Sequence, residues 1–433
     1  MLNTFLKSAT PVVQEPVAHG TVPFEELDLG IESIHDVVVS AELELQEIDS
    51  AENELRSLES SMENIAAYAQ SALADGGLRP ESNGLVLSIY ANLTENYQPL
   101  RADNFEEVSQ ESLHADGAQL QMTEYAIESI GSTTAKIIAT AKKIIATAIK
   151  ATLRFFDQHV ALGGRVGKGA AKLTEAAKKL DSSLVLKEKE IAFGSMGYLF
   201  ADKDVMDDSG YYKQVAKESK NALNVMRIIK KAFADVTPES LKTSLTDIKA
   251  ANVALNEVIV NSFAATNNLT DGDIKKYGLG KDYDKCVAST VLPGNRIAVL
   301  CLKDSEPAVF KMVTQEVTLP EKIKALTVSG ILNEAQQVTR IIEDHADLVA
   351  AGRLLAESGK DVMSIVSKAY KALKKEEGIP AADLDGFQSN VSQMKAVIAL
   401  LRKPYVELAK NAALYANARL QYADKSRKNL KKA

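Results

Sequence analysis

Tryptophan is absent from the 433 residues, aromatic residues make up 6%, and there are two cysteines, Cys286 and Cys301. Two thiols supply neither a disulfide framework nor a four-ligand zinc set, the usage expected of a chain made in a reducing cytoplasm. No stretch offers the ~20 uninterrupted apolar residues of a membrane span. The most apolar one, 131–156, is broken by Lys136, Lys142, Lys143, Lys150 and Arg154, so no stable membrane insertion is expected. The opening MLNTFLKSATPVV lacks the apolar core of a secretory signal. His19, His35, His114, His159 and His345 are scattered without a His or Cys partner at ligand spacing, so no metal and no cofactor is expected. His345, in the acidic run EDHAD, reads as part of a solvated helix face. GGRVGKG at 163–169 fails as a phosphate loop, because Leu162 and Gly169 stand where Gly and Ser or Thr are required. A flexible hinge between two helices is expected there instead. No nucleophile–base arrangement such as G-x-S-x-G appears, so no catalytic residue is nominated and a non-enzymatic protein is expected.

Positive charge is scarce at the start of the chain. Residues 1–130 hold 24 Asp and Glu against Lys7, Arg56, Arg79 and Arg101, a net of −20, and the total of −7 leaves +13 for residues 131–433. The chain is an acidic arm joined to a basic body.

What is abundant is Ala, Leu, Ile, Lys and Glu, a helix-forming composition. Ile31, Ile34, Val38, Ala41, Leu45 and Ile48, then Ala51, Leu55, Leu58, Met62, Ile65 and Ala69, alternate steps of three and four: a long amphipathic helix with a coiled-coil-like seam suited to self-association through 31–69. Further helices are expected at about 82–96, 104–130 with a break near Gly117, 212–235, 238–265 with Pro238 in its first turn, 321–337, 338–357, 359–376 and 387–430. Between them KCVASTVL (285–292), RIAVLCL (296–302) and AVFKMVTQEVT (308–318) read as a three-stranded antiparallel β-meander. If its first turn closes with Leu292 opposite Asn295, Cys286 faces Cys301; a four-residue turn would separate them. The fold expected is mainly α, in three parts: an acidic arm, 1–128; a basic helical segment, 129–190; and a C-terminal helical domain, 191–433, carrying the meander at 285–318.

The segment GSTTAKIIATAKKIIATAIKATLRFF (131–156) repeats AKIIATA as KKIIATA. On a helical wheel Lys136, Lys143, Lys150 and Arg154 fall within about 40° of one another, and Ile137, Ile138, Ala141, Ile144, Ile145, Ala148, Ile149, Phe155 and Phe156 cover the other side. Three readings fit: a core helix whose lysine stripe faces solvent, a stripe that contacts phosphates, or a helix lying on a membrane surface.

The ordering of these features, an acidic helical arm, then EYAIESIGSTTAKIIATAKKIIATAIKATLRFF, then KGAAKLTEAAKKL, resembles the internal head proteins of large tailed bacteriophages, best over residues 100–190. The resemblance implies a virion structural protein made in the host bacterial cytoplasm and packed inside the capsid with double-stranded DNA and capsid proteins. It also implies a precursor trimmed by a head-maturation protease that cuts after Glu in a small-residue–x–Glu motif. Ser-x-Glu ends at Glu42, Glu52, Glu59, Glu63 and Glu111, Ala126-Ile127-Glu128 adds a weaker sixth candidate, and Ala216-Lys217-Glu218 is a comparable Ala match outside the arm. Of the 16 glutamates up to Glu111, five carry Ser two places earlier, and none of the 17 beyond does, so the motif concentrates in the acidic arm. Ser and Glu are also common on any exposed helical arm, which alone produces such clustering. The residues expected to neutralise DNA are Lys136, Lys143, Lys150, Arg154, Arg165, Lys168, Lys172, Lys178 and Lys179, with Lys425, Arg427, Lys428, Lys431 and Lys432 of the tail KSRKNLKKA. The alternative is a cytoplasmic helical scaffold that self-associates without processing or DNA.

Overall fold

The computed structural model describes Tyr68 and residues 118–206, 210–237, 239–263, 267–269, 271–277, 283, 285–303, 306–373 and 381–432. The 31–69 seam apart from Tyr68, the helix at 82–96, the break near Gly117 and Pro238 lie outside the described residues.

Five long helices carry the fold: α1 (Ala118–Lys178), α2 (Gly210–Ala234), α3 (Leu241–Phe263), α5 (Val328–Leu373) and α6 (Ala381–Lys428), with a short α4 (Asp271–Lys276) between the third and the last two. α5 packs on α6, α1 and α2; α1 and α3 also reach α6, and α2 lies on α3. α6 is the central rod. Between Leu401 and Arg427 only Lys403 and Lys425 are exposed, and Ala409, Ala412, Ala413, Ala416, Ala418 and Ala423 let neighbours close on it from several sides.

Two expectations about helix breaks are corrected. GGRVGKG is not a hinge: α1 runs through it without interruption. A Cβ on Gly163 would stand 3.2 Å from His345 Nδ1 and one on Gly167 3.8 Å from the Ile342 side chain, so the glycines let α1 approach α5 closely. Each glycine costs the helix about 1 kcal/mol relative to Ala, and burial of Leu162, Val166, Ala170 and Leu173 on the same face offsets that. Likewise 328–373 is one helix where three were expected, because Ile331, Val338, Ile341, Leu348, Leu355, Val362 and Val366 continue one buried face throughout. Residues 321–327 are not helical; Ile323–Lys324 is strand β9.

The meander is present: β6 (Lys285–Ala288), β7 (Arg296–Lys303) and β8 (Glu306–Thr314), extended by the two-residue β5 (Asn267–Asn268) into a sheet of order β5-β6-β7-β8. Cys286 pairs with Cys301 as the register required, and the two form a disulfide. The turn differs from the expected one: Leu292 pairs with Arg296, not Asn295. Ser289 still donates its N–H to the Ala298 carbonyl, so the extra residue is taken up at Thr290–Val291 and the strand register survives. Short ribbons complete the body: β1 (Val185–Leu186) with β10 (Leu430–Lys431), β2 (Glu190–Ile191) with β9, and β3 (Phe200–Ala201) with β4 (Asp204–Val205).

Candidate nucleic-acid interface

At 100° per residue, Lys136, Lys143, Lys150, Arg154, Arg165, Lys168, Lys172 and Lys179 occupy about 60° of the azimuth of α1 and its last turn. This row is ~64 Å long at 1.5 Å per residue. Side-chain surroundings are described from Thr147 onward, and there Lys150, Arg154, Arg165, Lys168, Lys172, Lys178 and Lys179 are all exposed. The opposite face buries Phe155, Phe156, Leu162, Val166 and Leu173. Between residues 150 and 179 seven cations stand against two carboxylates, Asp157 and Glu175, a net of +5. Asp157 is engaged by the guanidinium of Arg353 at 2.7 Å. Among the described residues no helix is long and apolar enough to cross a membrane.

The tail is brought to the end of this row. β10 pairs with β1 just beyond α1, the Asn429 side chain donates to the Glu188 carbonyl at 2.7 Å, and the Glu188 N–H donates to Asn429 Oδ1 at 3.1 Å. Asp181, next to Lys179, has its carboxyl held below the usual range by hydrogen bonds from Ser183, with a smaller contribution from Lys432. Lys425, Lys428, Lys431 and Lys432 are exposed. Arg427 is not a surface cation: it is 2% exposed, and its guanidinium lies 2.8 Å from Asp424, which also takes the Lys428 ammonium at 2.8 Å. Tail residue though it is by sequence, Arg427 belongs to the buried face of α6, and it leaves the set of DNA contacts.

A second cation row escaped the sequence reading. Lys213, Lys217, Lys220, Arg227 and Lys231 are exposed on one side of α2, at steps that keep to one helix face. The 4-3-7-4 spacing is legible in the sequence. Lys230, beside that row, reaches across to Asp361 of α5 at 3.0 Å.

Two sets of buried polar groups join the helices to one another. His345 is not on a solvated face: it is 1% exposed, and its Nε2 lies 3.1 Å from Nδ1 of the fully buried His159. Phe155 stacks on the His159 ring at 4.0 Å. Burial lowers both imidazoles, His345 to about 4, and the charges of His345 and Lys410 add to the effect on His159. The partners are 186 residues apart, so no local signal marks them. Arg419 of α6, also buried, donates to Glu334 Oε2 of α5 at 2.8 Å, to the Tyr415 hydroxyl at 2.8 Å and to the Met206 carbonyl, fixing α6, α5 and the β4 ribbon to one another. Among the described residues no group of three or more His, Cys, Asp or Glu is placed to hold a metal ion.

The six Glu positions nominated for cleavage divide in two. Glu42, Glu52, Glu59, Glu63 and Glu111 lie outside the described residues, whereas Glu128 is inside α1, which runs unbroken across it.

No curated protein and no solved structure matches this chain. A family model does, over residues 31–425, a span that takes in all of the 31–69 seam, the cation-bearing helices and all but the last residues of the central rod. The chain therefore belongs to the phiKZ-like phage internal head proteins, structural proteins of the virion located inside the capsid.

Proposed function

We propose that the body of this internal head protein lies against packaged double-stranded DNA and neutralises its phosphates through the cation row of α1, continued by Lys425, Lys428, Lys431 and Lys432 and assisted by the row on α2. The observation that carries this reading is the alignment of the exposed cations from Lys150 to Lys179 along α1, whose other face is buried from Phe155 to Ala177. Such a row offers regularly spaced charge without a groove-reading element, so binding is electrostatic and independent of sequence. Duplex binding by the protein in a salt titration tests it. With six to ten phosphates engaged, affinity falls about 10³–10⁵-fold between 50 and 200 mM salt. Replacing Lys150, Arg154, Lys168 and Lys172 by Gln lowers both affinity and salt slope with the melting temperature unchanged. Salt-insensitive binding, or a slope unmoved by the four changes, would falsify the proposal.

The acidic arm, 1–128 at its longest, is in this reading a propeptide removed by the head-maturation protease. Its loss would turn a −7 precursor into a product of opposite sign, and until then its charge would compete with DNA for the body. Cleavage at Glu128 requires α1 to unwind around the scissile bond, since a protease binds its substrate extended. Mass spectrometry of the protein from virions gives the answer directly: a new N-terminus after Glu111 or an earlier Ser-x-Glu supports processing, and an intact Met1 rules it out.

A further inference from the structure

An open cleft of about 790 Å³ lies between the 3₁₀ turn Met196–Leu199, the Pro293–Asn295 turn and the segment that follows β8, with Tyr198, Arg296, Gln315, Glu316, Val317 and Leu319 in its walls. Its frame is fixed from behind. The N–H groups of Gly294 and Asn295 both donate to the Phe200 carbonyl, Gln315 N–H donates to the Asn295 carbonyl, and Asn411 of α6 donates to the Pro293 carbonyl. Gly294 has φ +78°, and a Cβ there would meet the Tyr198 ring at 3.0 Å; glycine both permits the turn and lets the ring close up to it.

Two features of this cleft ask for a ligand. The Arg296 guanidinium, half-buried, sits 5.6 Å from the centre of the Tyr198 ring and makes no ion pair or side-chain hydrogen bond among the described residues. A planar cation stacked on an aromatic face with its donor edge unused fits a carboxylate. Beside it, residues 315–320 alternate half-buried and exposed, the period of an extended strand, yet past Gln315 their backbone N–H and carbonyl groups have no backbone partner among the described residues until Ile323. That open edge fits an added extended peptide. Val317, Leu319 and the Tyr198 ring supply apolar walls. Glu316, exposed at the rim, sets one negative charge against the one cation, which disfavours a polyanion such as a duplex and admits a short peptide with a carboxylate beside an apolar side chain.

The chain carries such a peptide. VPFEELDL at 22–29 sets acidic beside apolar residues, alternating from Glu26 to Leu29, and Pro16 and Pro23 favour an extended backbone. Residues 1–30 contain one lysine, Lys7, against Glu15, Glu25, Glu26 and Asp28. More than 80 residues separate it from α1, ample length to reach any part of the body. We propose that this cleft holds the chain's own 22–29 segment as an added strand, with one of its carboxylates on Arg296 and its apolar side chains against Tyr198 and Leu319. The start of the arm is thereby tied to the body, in cis, independently of whether the α1 row binds DNA.

The test uses the full chain with the photo-crosslinking residue p-benzoylphenylalanine at position 24. Irradiation and peptide mapping give a crosslink to Tyr198 or to 314–319, recovered in the monomer band, and at least fivefold weaker in Arg296→Gln and in Glu25→Gln/Glu26→Gln. The arm double variant leaves the body unaltered, so it decides the matter even if Arg296→Gln lowers stability. A crosslink mapped elsewhere, confined to a dimer band, unchanged in both variants, or displaced by short duplex DNA overturns the assignment.

Discussion

Gly352 sits in the middle of α5 where α1 and α6 both press on it: a Cβ there would collide with the Phe156 ring and lie 2.9 Å from Tyr405 Cβ. Both neighbours are fully buried and have no room to yield. Gly352→Ala, a change that improves helix propensity, is therefore expected to destabilise the body by at least 1–3 kcal/mol, the usual range for overpacking, as measured by denaturant unfolding. The His159–His345 contact gives a second residue-scale expectation. An unfolded histidine takes up its proton near pH 6.5, whereas burial holds both of these imidazoles neutral to lower pH, His345 to about 4. The unfolded state thus binds more protons below about pH 6.5, and stability is complete above that value and declines as pH falls from it towards 4. Lys410 opposes any positive charge at the pair. Thermal melts between pH 7.5 and 4.5 should show this loss, and the double variant His159→Leu/His345→Leu should have a flatter profile over the same range. Neither feature was legible in the sequence. A glycine required for close approach looks the same as one that permits a hinge, which is how GGRVGKG was misread, and the two histidines meet only because α1 and α5 pack antiparallel along their length.

Among the elements, α1 was the most readable, because the facts that define it are local: cations recur every seven residues or close to it, with isoleucines on the other side. The strands were readable for the same reason, and Cys286–Cys301 follows from register even though the turn closes one residue away from the expected place. That bond closes a loop of 15 residues, worth about 3 kcal/mol if it acts through the unfolded state. Cys286→Ala/Cys301→Ala is expected to lose about that much, and a reducing agent should lower the unfolding midpoint of the parent protein while leaving the variant's where it is. An equal response of both proteins to reductant would show that the link adds no stability. The helices of the C-terminal half were harder, since their boundaries depend on which faces are covered. Cuts near 337 and 357 look reasonable by composition, but one uninterrupted buried stripe carries α5 through both.

At the scale of the whole molecule, the charge division between arm and body is a property of the sequence that needs no coordinates. The place of the tail does need them. KSRKNLKKA has the composition of a solvated basic end, yet Ser426 and Arg427 are buried, and Leu430–Lys431 closes a ribbon with Val185–Leu186. Its cations reach the end of the α1 row only because the polypeptide is held there by main-chain pairing. The same arrangement bears on how the protein comes to be made. The rod on which α1, α3 and α5 all rest leaves the ribosome after all three of them, more than 200 residues after α1. At ~5–20 residues per second, α1 waits about ten seconds or longer with the face that α6 will cover still wet. A chain interrupted before 401 lacks the axis that α1, α3 and α5 pack against, so truncation there leaves open the faces those helices bury on α6.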